Sequence, residues 1–147
     1  MAQNISTNGI KATLTMAPLP PIELDNFSPE SDMMTTEDLN TANMEMTPDG
    51  KAIRYTMNAK IPLSITLNAA SSAAKLLREC LVQQRRTGNI PPISFNANLV
   101  IEDLVNGVME IYSDGVLESG PAGYGYGNQK KLDQTFKFSF SSRKAIG

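Results

Sequence analysis

The stretch that decides the fold is residues 61–77, Ile-Pro-Leu-Ser-Ile-Thr-Leu-Asn-Ala-Ala-Ser-Ser-Ala-Ala-Lys-Leu-Leu. In residues 61–67, apolar side chains alternate with smaller or polar ones, which predicts a strand with one buried face. After this strand the apolar residues recur at helical spacing, which predicts one helix from Ala69 to about Arg86 with Asn68 as its N-cap. A strand that passes directly into the one convincing helix indicates a mostly-β protein with that helix at one side.

The predicted helix has one apolar stripe and a basic C-terminal end. Arg85 and Arg86 stand where the helix macrodipole favours cations, and Gly88 is a natural stop. This pattern favours a dipole interaction over a phosphate site for the two arginines. The stripe that should face the core consists of Ala73, Leu76, Leu77, Cys80, Leu81 and Gln84.

A long hairpin is predicted upstream of this strand, at about residues 39–58. Its turn signal is Thr47-Pro48-Asp49-Gly50, in which proline presets φ and glycine tolerates positive φ. An arm of about ten residues spans ~33 Å, whereas a protein of this length has a radius of gyration near ~15 Å. The hairpin should therefore overhang its own core, and it needs a partner for its open edges. The alternative is a twisted hairpin that folds back over its own sheet.

Strands are also predicted on either side of this central region. The first is Ile10–Met16, and prolines end it before a long polar loop at 18–36. The last is Leu132 to about Ser142, where three phenylalanines at alternate positions should face the core. Before that strand, the glycine-rich residues 119–128 predict a mobile loop or a contact between subunits, since they do not match a phosphate-binding motif.

Two more strands, at about Phe95–Val105 and Val108–Ser113, flank the dipeptide Asn106-Gly107, the commonest signal for a two-residue hairpin turn. If that turn sets the register, Asp103 and Glu110 face each other, and like charges in that position are destabilising. Either the register differs, or this pair lies on an open, wet, acidic surface. A catalytic carboxylate pair is disfavoured because no partner groups are identifiable.

Together these elements predict a mostly-β (α+β) fold. We expect an antiparallel β-sandwich or open barrel of about six or seven strands, with one flanking α-helix and a long protruding β-hairpin. The length of 147 residues predicts a single domain over 1–147.

Charged residues alternate in blocks along the chain. Residues 12–50 hold eight acidic residues and no basic ones, and residues 51–86 hold seven basic residues and one acidic. Residues 87–129 hold five acidic residues and no basic ones, and the segment from 130 onward holds five basic residues and one acidic. Opposed blocks can present complementary faces to other copies of the chain. They can equally neutralise each other within one fold.

Composition excludes several functional classes. The chain has no histidine, so the commonest catalytic base and the commonest metal ligand are both missing, and we expect no enzyme, no metal site and no cofactor. Its single cysteine, Cys80, excludes an internal disulfide and is expected to be buried on the helix. A pI near 5.1 argues against a dedicated nucleic-acid binder. The sequence also lacks an apolar run long enough for a membrane anchor and the layout of a signal peptide, which predicts cytoplasmic synthesis.

In its order of elements the chain resembles the tail tube proteins of contractile-tailed bacteriophages. The resemblance is carried by the opening strand Gly9–Met16, the hairpin tipped by Thr47-Pro48-Asp49-Gly50, the strand-into-helix passage at 61–77 and the closing strand Thr135–Phe140. It spans most of the chain, although the polar segment 18–36 has no clear counterpart.

The resemblance implies a structural virion protein that forms homohexameric rings, stacked as the inner tube through which DNA passes without specific binding. It also implies tail sheath and tail-end proteins as partners, and a location in the virion tail after assembly in the host cytoplasm. The hairpin tip should contact the adjacent ring, and the channel should be acidic, with Asp103 and Glu110 as candidate lining residues. The residues of the expected contact between rings are Met44, Glu45, Met46, Thr47, Pro48, Asp49, Gly50 and Lys51.

Two alternatives stay open from the sequence. The chain could form the tube of a related bacterial contractile injection or secretion system, which makes the same physical demands on its subunit. It could instead be a small-molecule-binding β-barrel, which would need an enclosed apolar cavity.

Overall fold

The computed structural model describes residues 9–24, 33–56, 59–85, 88–89 and 91–146, and within them nine strands and one helix. Seven strands form one antiparallel sheet in the order β2-β1-β7-β8-β9-β6-β3, and β4 and β5 form a separate two-stranded sheet. The strands are β1 (Ile10–Ala17), β2 (Ile22–Leu24), β3 (Met34–Thr36), β4 (Ala42–Met46), β5 (Ala52–Thr56), β6 (Ile61–Leu67), β7 (Asn96–Asp103), β8 (Val108–Ser119) and β9 (Gln134–Ile146). The predicted mostly-β class, with a flanking helix and a protruding hairpin, is confirmed.

The core sits on one side of a curled sheet. Buried side chains from strands near opposite ends of the strand order belong to one apolar cluster, so the sheet must curve around it. The predicted phenylalanine face is confirmed, since Phe136, Phe138 and Phe140 are all at most 1% exposed. Helix α1 (Ser72–Gln83) follows β6 near one end of the strand order and contacts β2 at the other end. The helix therefore closes the mouth of an open barrel.

The helix is shorter than predicted and starts later. Ser71, not Asn68, is the N-cap, and its Oγ accepts a hydrogen bond from the backbone N–H of Ala74. Asn68 instead accepts from the N–H of Ala70 in the preceding turn. Leu76 is exposed rather than buried, whereas the buried face includes Ala74 and Arg78, which the stripe omitted. Cys80 is buried as expected, and burial raises the pKa of its thiol, with a further contribution from Glu79.

Arg78 is buried beneath the glycine-rich loop and binds to it. Its guanidinium donates to Gln134 Oε1 and, over 2.9 Å, to the hydroxyl of Tyr124, and it lies 4.2 Å from the centre of the Tyr124 ring. Gln134 in turn donates to the carbonyl of Gly123 over 3.0 Å. The glycine-rich loop is thus held against the helix by a hydrogen-bonded network.

Two sequence expectations for the loops were wrong. The segment 18–36 was expected to be a loop, but it contains β2 and β3. Each of these strands has three residues, too few to show an alternating pattern in the sequence. Residues 25–32 of the segment lie outside the described residues. The turn after β7 is four residues long, because Asp103 pairs with Val108 and the N–H of Gly107 donates to the carbonyl of Asp103. Glu110 therefore lies opposite Ile101, so the first of the two alternatives left open by the sequence holds: the register differs, and Asp103 and Glu110 do not face each other.

Strand β8 is longer than predicted and bends at a bulge. Between the pairs Leu99–Tyr112 and Ala97–Gly115, β8 uses one more residue than β7, and Asp114 takes a φ of +53° to accommodate it. The bend brings the backbone at Gly115 against Phe140. A Cβ on Gly115 would lie 2.3 Å from Phe140 Cδ1 and 2.7 Å from the carbonyl oxygen of Ser139.

This close approach predicts that Gly115→Ala lowers the free energy of unfolding by about 1–3 kcal/mol, because the ring and the backbone must shift to admit the methyl group. The control is Gly123→Ala, where the added Cβ meets no atom within 4 Å, and a change within about 0.5 kcal/mol is expected. Urea unfolding of both variants measures the difference. Equal stabilities for the two would contradict the packing described for the bulge.

Candidate assembly surfaces

The hairpin formed by β4 and β5 buries none of its own residues. All ten residues of its two strands are exposed, and it forms a sheet separate from the main one. Its paired arms are five residues long, about 17 Å, which is shorter than the ten residues expected from the sequence. It does not fold back over the main sheet, so its unpaired backbone edges face solvent.

The turn at the tip of the hairpin is well ordered. Thr47 donates its N–H to the carbonyl of Lys51 and accepts from the N–H of Gly50, both over 2.8–2.9 Å, and Gly50 takes a φ of +86°. The hydroxyl of Thr47 also donates to Asp49 Oδ1, and this bond is the main reason that the pKa of Asp49 is lowered. A rigid turn therefore presents the tip residues in one geometry.

Apolar side chains lie on both faces of the hairpin. Met44 and Met46 are 55% and 65% exposed on one face, and Ile53 and Tyr55 are exposed on the other. Tyr55 accepts a hydrogen bond from Asn43 directly across the ribbon, over 2.7 Å. Met57, which the sequence also placed on the hairpin, lies outside the described residues. Such exposure of flexible and aromatic side chains is typical of a contact surface.

Ion pairs attach the root of the hairpin to the main sheet. On one side Glu37 binds Lys137 over 3.1 Å, and on the other Lys60 binds Glu118 over 2.7 Å. Glu118 also accepts from the buried Ser139. The hydrogen bond from Lys60, followed by that from Ser139, lowers the pKa of Glu118. Ion pairs thus hold the chain to the main sheet before β4, at Glu37, and after β5, at Lys60.

The two acids expected in the channel have local partners. Asp103 accepts from Asn106 Nδ2 and from the N–H groups of Val105 and Asn106, and the side-chain bond is the main cause of its lowered pKa. Glu110 pairs with Arg143, whose pKa it raises. Asp103 therefore stabilises a turn, and Glu110 ties β8 to β9.

The sequence did not reveal a second open edge, at the end of β9. Residues 137–140 of β9 lie between β6 and β8, but Ser141–Ile146 have only β8 as a neighbour among the described residues. All six of these residues are exposed. The alternating phenylalanines allowed the first part of β9 to be predicted. They gave no indication that the strand continues beyond about Ser142.

The described residues offer neither a metal site nor a membrane-spanning helix. In the described part of the chain, no group of three or more Cys, Asp or Glu side chains could hold a metal ion. Over the same residues, no helix has both the length and the apolar content needed to cross a bilayer.

A family model described as "Tail fiber protein gp32" matches residues 3–144, nearly the whole chain. The chain belongs to this family. No curated protein matches the gp32-family chain at a significant level.

Solved structures with the same fold come from contractile assemblies. Over all of this chain and 98% of its own, a chain of the anti-feeding prophage baseplate superposes with a TM-score of 0.65 at 12% identity. A chain from the sheath–tube complex of the PVC extracellular contractile injection system superposes with a TM-score of 0.64 at 7% identity, over 98% of this chain and 92% of its own. A chain from the sheath/tube terminator of that system superposes with a TM-score of 0.60 at 5% identity, over 99% of each chain. The fold implied by the resemblance to tail tube proteins is therefore confirmed, and at these identities the likeness shows the fold alone.

The ion pair at the hairpin root predicts a pH-dependent contribution to stability. Folding lowers the pKa of Glu118, so its carboxylate stabilises the folded chain. This stabilisation is fully present above the pKa of the unfolded chain, about 4.3, and is lost as the pH falls through the lower pKa of the folded chain. Glu118→Gln should cost up to about 1 kcal/mol at pH 7 and nothing at the lowest pH at which the chain stays folded.

Urea unfolding between pH 7 and pH 3 measures this difference, with Glu79→Gln on the exposed side of α1 as the control. If Glu118→Gln and the native chain lose stability in parallel over that range, Glu118 does not hold the hairpin root.

Proposed function

We propose that this gp32-family chain is the subunit of the inner tube of a contractile tail, where homohexameric rings stack into a hollow channel for DNA. The observation that carries the proposal is a hairpin whose ten strand residues are all exposed, with apolar side chains on both faces. A bare two-stranded ribbon is marginal in water. Contacts with other copies of the chain would complete it, and the role is structural and not enzymatic.

Lateral closure of the ring would use the two open edges of the main sheet. Four long strands lie side by side in the order β1-β7-β8-β9. At one edge, Ser141–Ile146 of β9 has β8 on one side and no strand on the other among the described residues. At the other edge, β1 pairs with β2 only at Ala12–Leu14. Pairing of β9 with β1 of the next subunit would join these strands into one barrel, which removes both edges.

The face of this barrel that lines the channel follows from the position of the core. The core-bearing face carries the helix and must lie outside, so the opposite face of β1, β7 and β8 would line the channel. Residues in register there include Lys11, Glu102 and Met109 in one row, and Thr13, Val100 and Ile111 in the next.

Asp103 and Glu110 lie on the core side of these strands. Glu110 is opposite Ile101, which packs against the core, and Asp103 is two residues further along the same face of β7. We therefore propose a channel wall of mixed charge, in which Glu102 replaces these two acids as the acidic lining residue.

A tube of a bacterial contractile injection system is the second candidate. The chains from the injection-system sheath–tube complex and its terminator have this fold. The proposed wall also carries Lys11 beside Glu102, whereas a channel that must not retain DNA is expected to be acidic throughout, and this favours a channel for another cargo. The family description names a tail fibre, whereas the open edges and the hairpin are the features that a closed, stacked ring requires. We propose tail sheath and tail-end proteins as further partners in either assembly.

The proposal predicts ring and tube particles in negative-stain micrographs of the purified chain, because the exposed edges are completed only by other copies. Analytical ultracentrifugation over a concentration series gives the size of the closed unit, and a hexamer is expected. A strictly monomeric chain at high concentration would overturn the proposed function. Rings without tubes would assign the chain to the end of a tail instead.

The hairpin tip predicts a separation between folding and stacking. Replacing residues 47–50 with Asn-Gly should leave the stability of the body within about 0.5 kcal/mol, since β4 and β5 lie outside the core, but should abolish tubes. Pro48→Ala, which keeps the length of the turn, should still form tubes and serves as the control. Tubes of normal length from the shortened variant would show that the tip does not join rings.

A further inference from the structure

The turn between β7 and β8, residues 104–107, presents a second exposed apolar surface. Leu104 is 65% exposed and Val105 is 54% exposed. Ile146, opposite Met109 at the start of β8, adds a third apolar side chain that is 48% exposed at the same end of the sheet. Large apolar side chains gathered at the end of a sheet indicate a surface that a partner covers.

This turn is preformed. The N–H of Leu104 donates to the carbonyl of Gly9 over 3.0 Å, and the N–H of Gly107 donates to the carbonyl of Asp103 over 2.8 Å. Asp103 caps the turn from inside, because its carboxylate accepts from Val105 and Asn106. A partner could therefore bind the turn without first ordering it.

The β7–β8 turn and the hairpin root lie at opposite ends of β8. The turn joins β8 at Val108, whereas the hairpin root is attached at Glu118 through Lys60. Ten residues of strand separate these points, roughly 30 Å. Two different surfaces at opposite ends of one subunit are the arrangement from which a head-to-tail stack is built.

Charge complements the apolar match between the two surfaces. Lys51 and Arg54 lie on the hairpin, and no ion pair engages either of them within the described ranges. Glu102 and Asp103 lie at the end of β7, beside the turn. Because the carboxylate of Asp103 is engaged within the turn, Glu102 is the acidic group that Lys51 or Arg54 of the hairpin can meet, while the methionines of the hairpin meet Leu104 and Val105.

We propose that the β7–β8 turn of one subunit is the docking site for the hairpin of the next subunit along the tube. The inference rests on the proposed function and adds the acceptor surface to it. Each subunit gives its hairpin at one end and receives a hairpin at the other, so the contact repeats without closing.

Disulfide trapping tests this contact directly. The variant Met46→Cys/Leu104→Cys is assembled under reducing conditions, oxidised, and run on a non-reducing gel. A ladder of covalent multimers is expected, because each subunit carries both halves of the contact. Cys80 is buried and its pKa is raised, so it should not contribute to the ladder.

The control variant is Met46→Cys/Val116→Cys, which pairs the hairpin with an apolar residue that is 50% exposed and lies towards the opposite end of β8 from the turn. No ladder is expected from it, nor from Met46→Cys or Leu104→Cys alone, while micrographs show tubes for all four. If the variants form tubes but only the Val116 variant gives a ladder, or no variant gives one, the proposed docking site is wrong and the proposed function still stands. A native chain that forms no particles overturns both.

Discussion

Two antiparallel strands that bury nothing of their own are the feature on which the rest of this structure depends. β4 and β5 form five cross-strand pairs, and every residue in those pairs is exposed. Backbone edges and apolar side chains in such a ribbon are stabilised only by a partner. The ordered turn at its tip and the ion pairs at its root fix its geometry, so the entropy lost on binding is reduced before contact is made.

The other described strands and the helix form one body, packed around a single apolar core, that carries the ribbon. Phe136, Phe138 and Phe140 fill the concave side of the sheet, and the helix covers it, tied at its end by a 2.9 Å bond from Gln84 to the carbonyl of Leu117. β8 and β9 extend beyond this core, which leaves the last six residues of β9 with one open side. In the proposed assembly, this body uses its open strand edges for lateral contacts and its two ends for contacts along the tube.

Much of the fold could be predicted from the sequence, because periodicity and turn chemistry act locally. The hairpin turn, the strand-to-helix passage and the phenylalanine face carry such signals, and the structure contains all three. Register and strand length were missed because they depend on distant residues. Asn106-Gly107 suggested a two-residue turn, but the carboxylate of Asp103 caps a four-residue one, and the open end of β9 follows from where β6 begins. Of the two surfaces in the proposed contact, the hairpin carries a turn signal in the sequence, whereas the exposed pair Leu104 and Val105 in the β7–β8 turn is too short to show a periodic pattern.

Amide hydrogen exchange across β4 and β5 tests most directly whether the ribbon is completed by other copies. Exchange is measured on the native chain at a dilution that keeps it monomeric and again in assembled particles, with the amides of Phe136–Phe140 as the internal reference. If other copies complete the ribbon, the amides of residues 42–56 exchange rapidly in the monomer and are strongly protected in the particles, while the reference amides stay protected in both. Equal and strong protection of residues 42–56 in the isolated chain would contradict it.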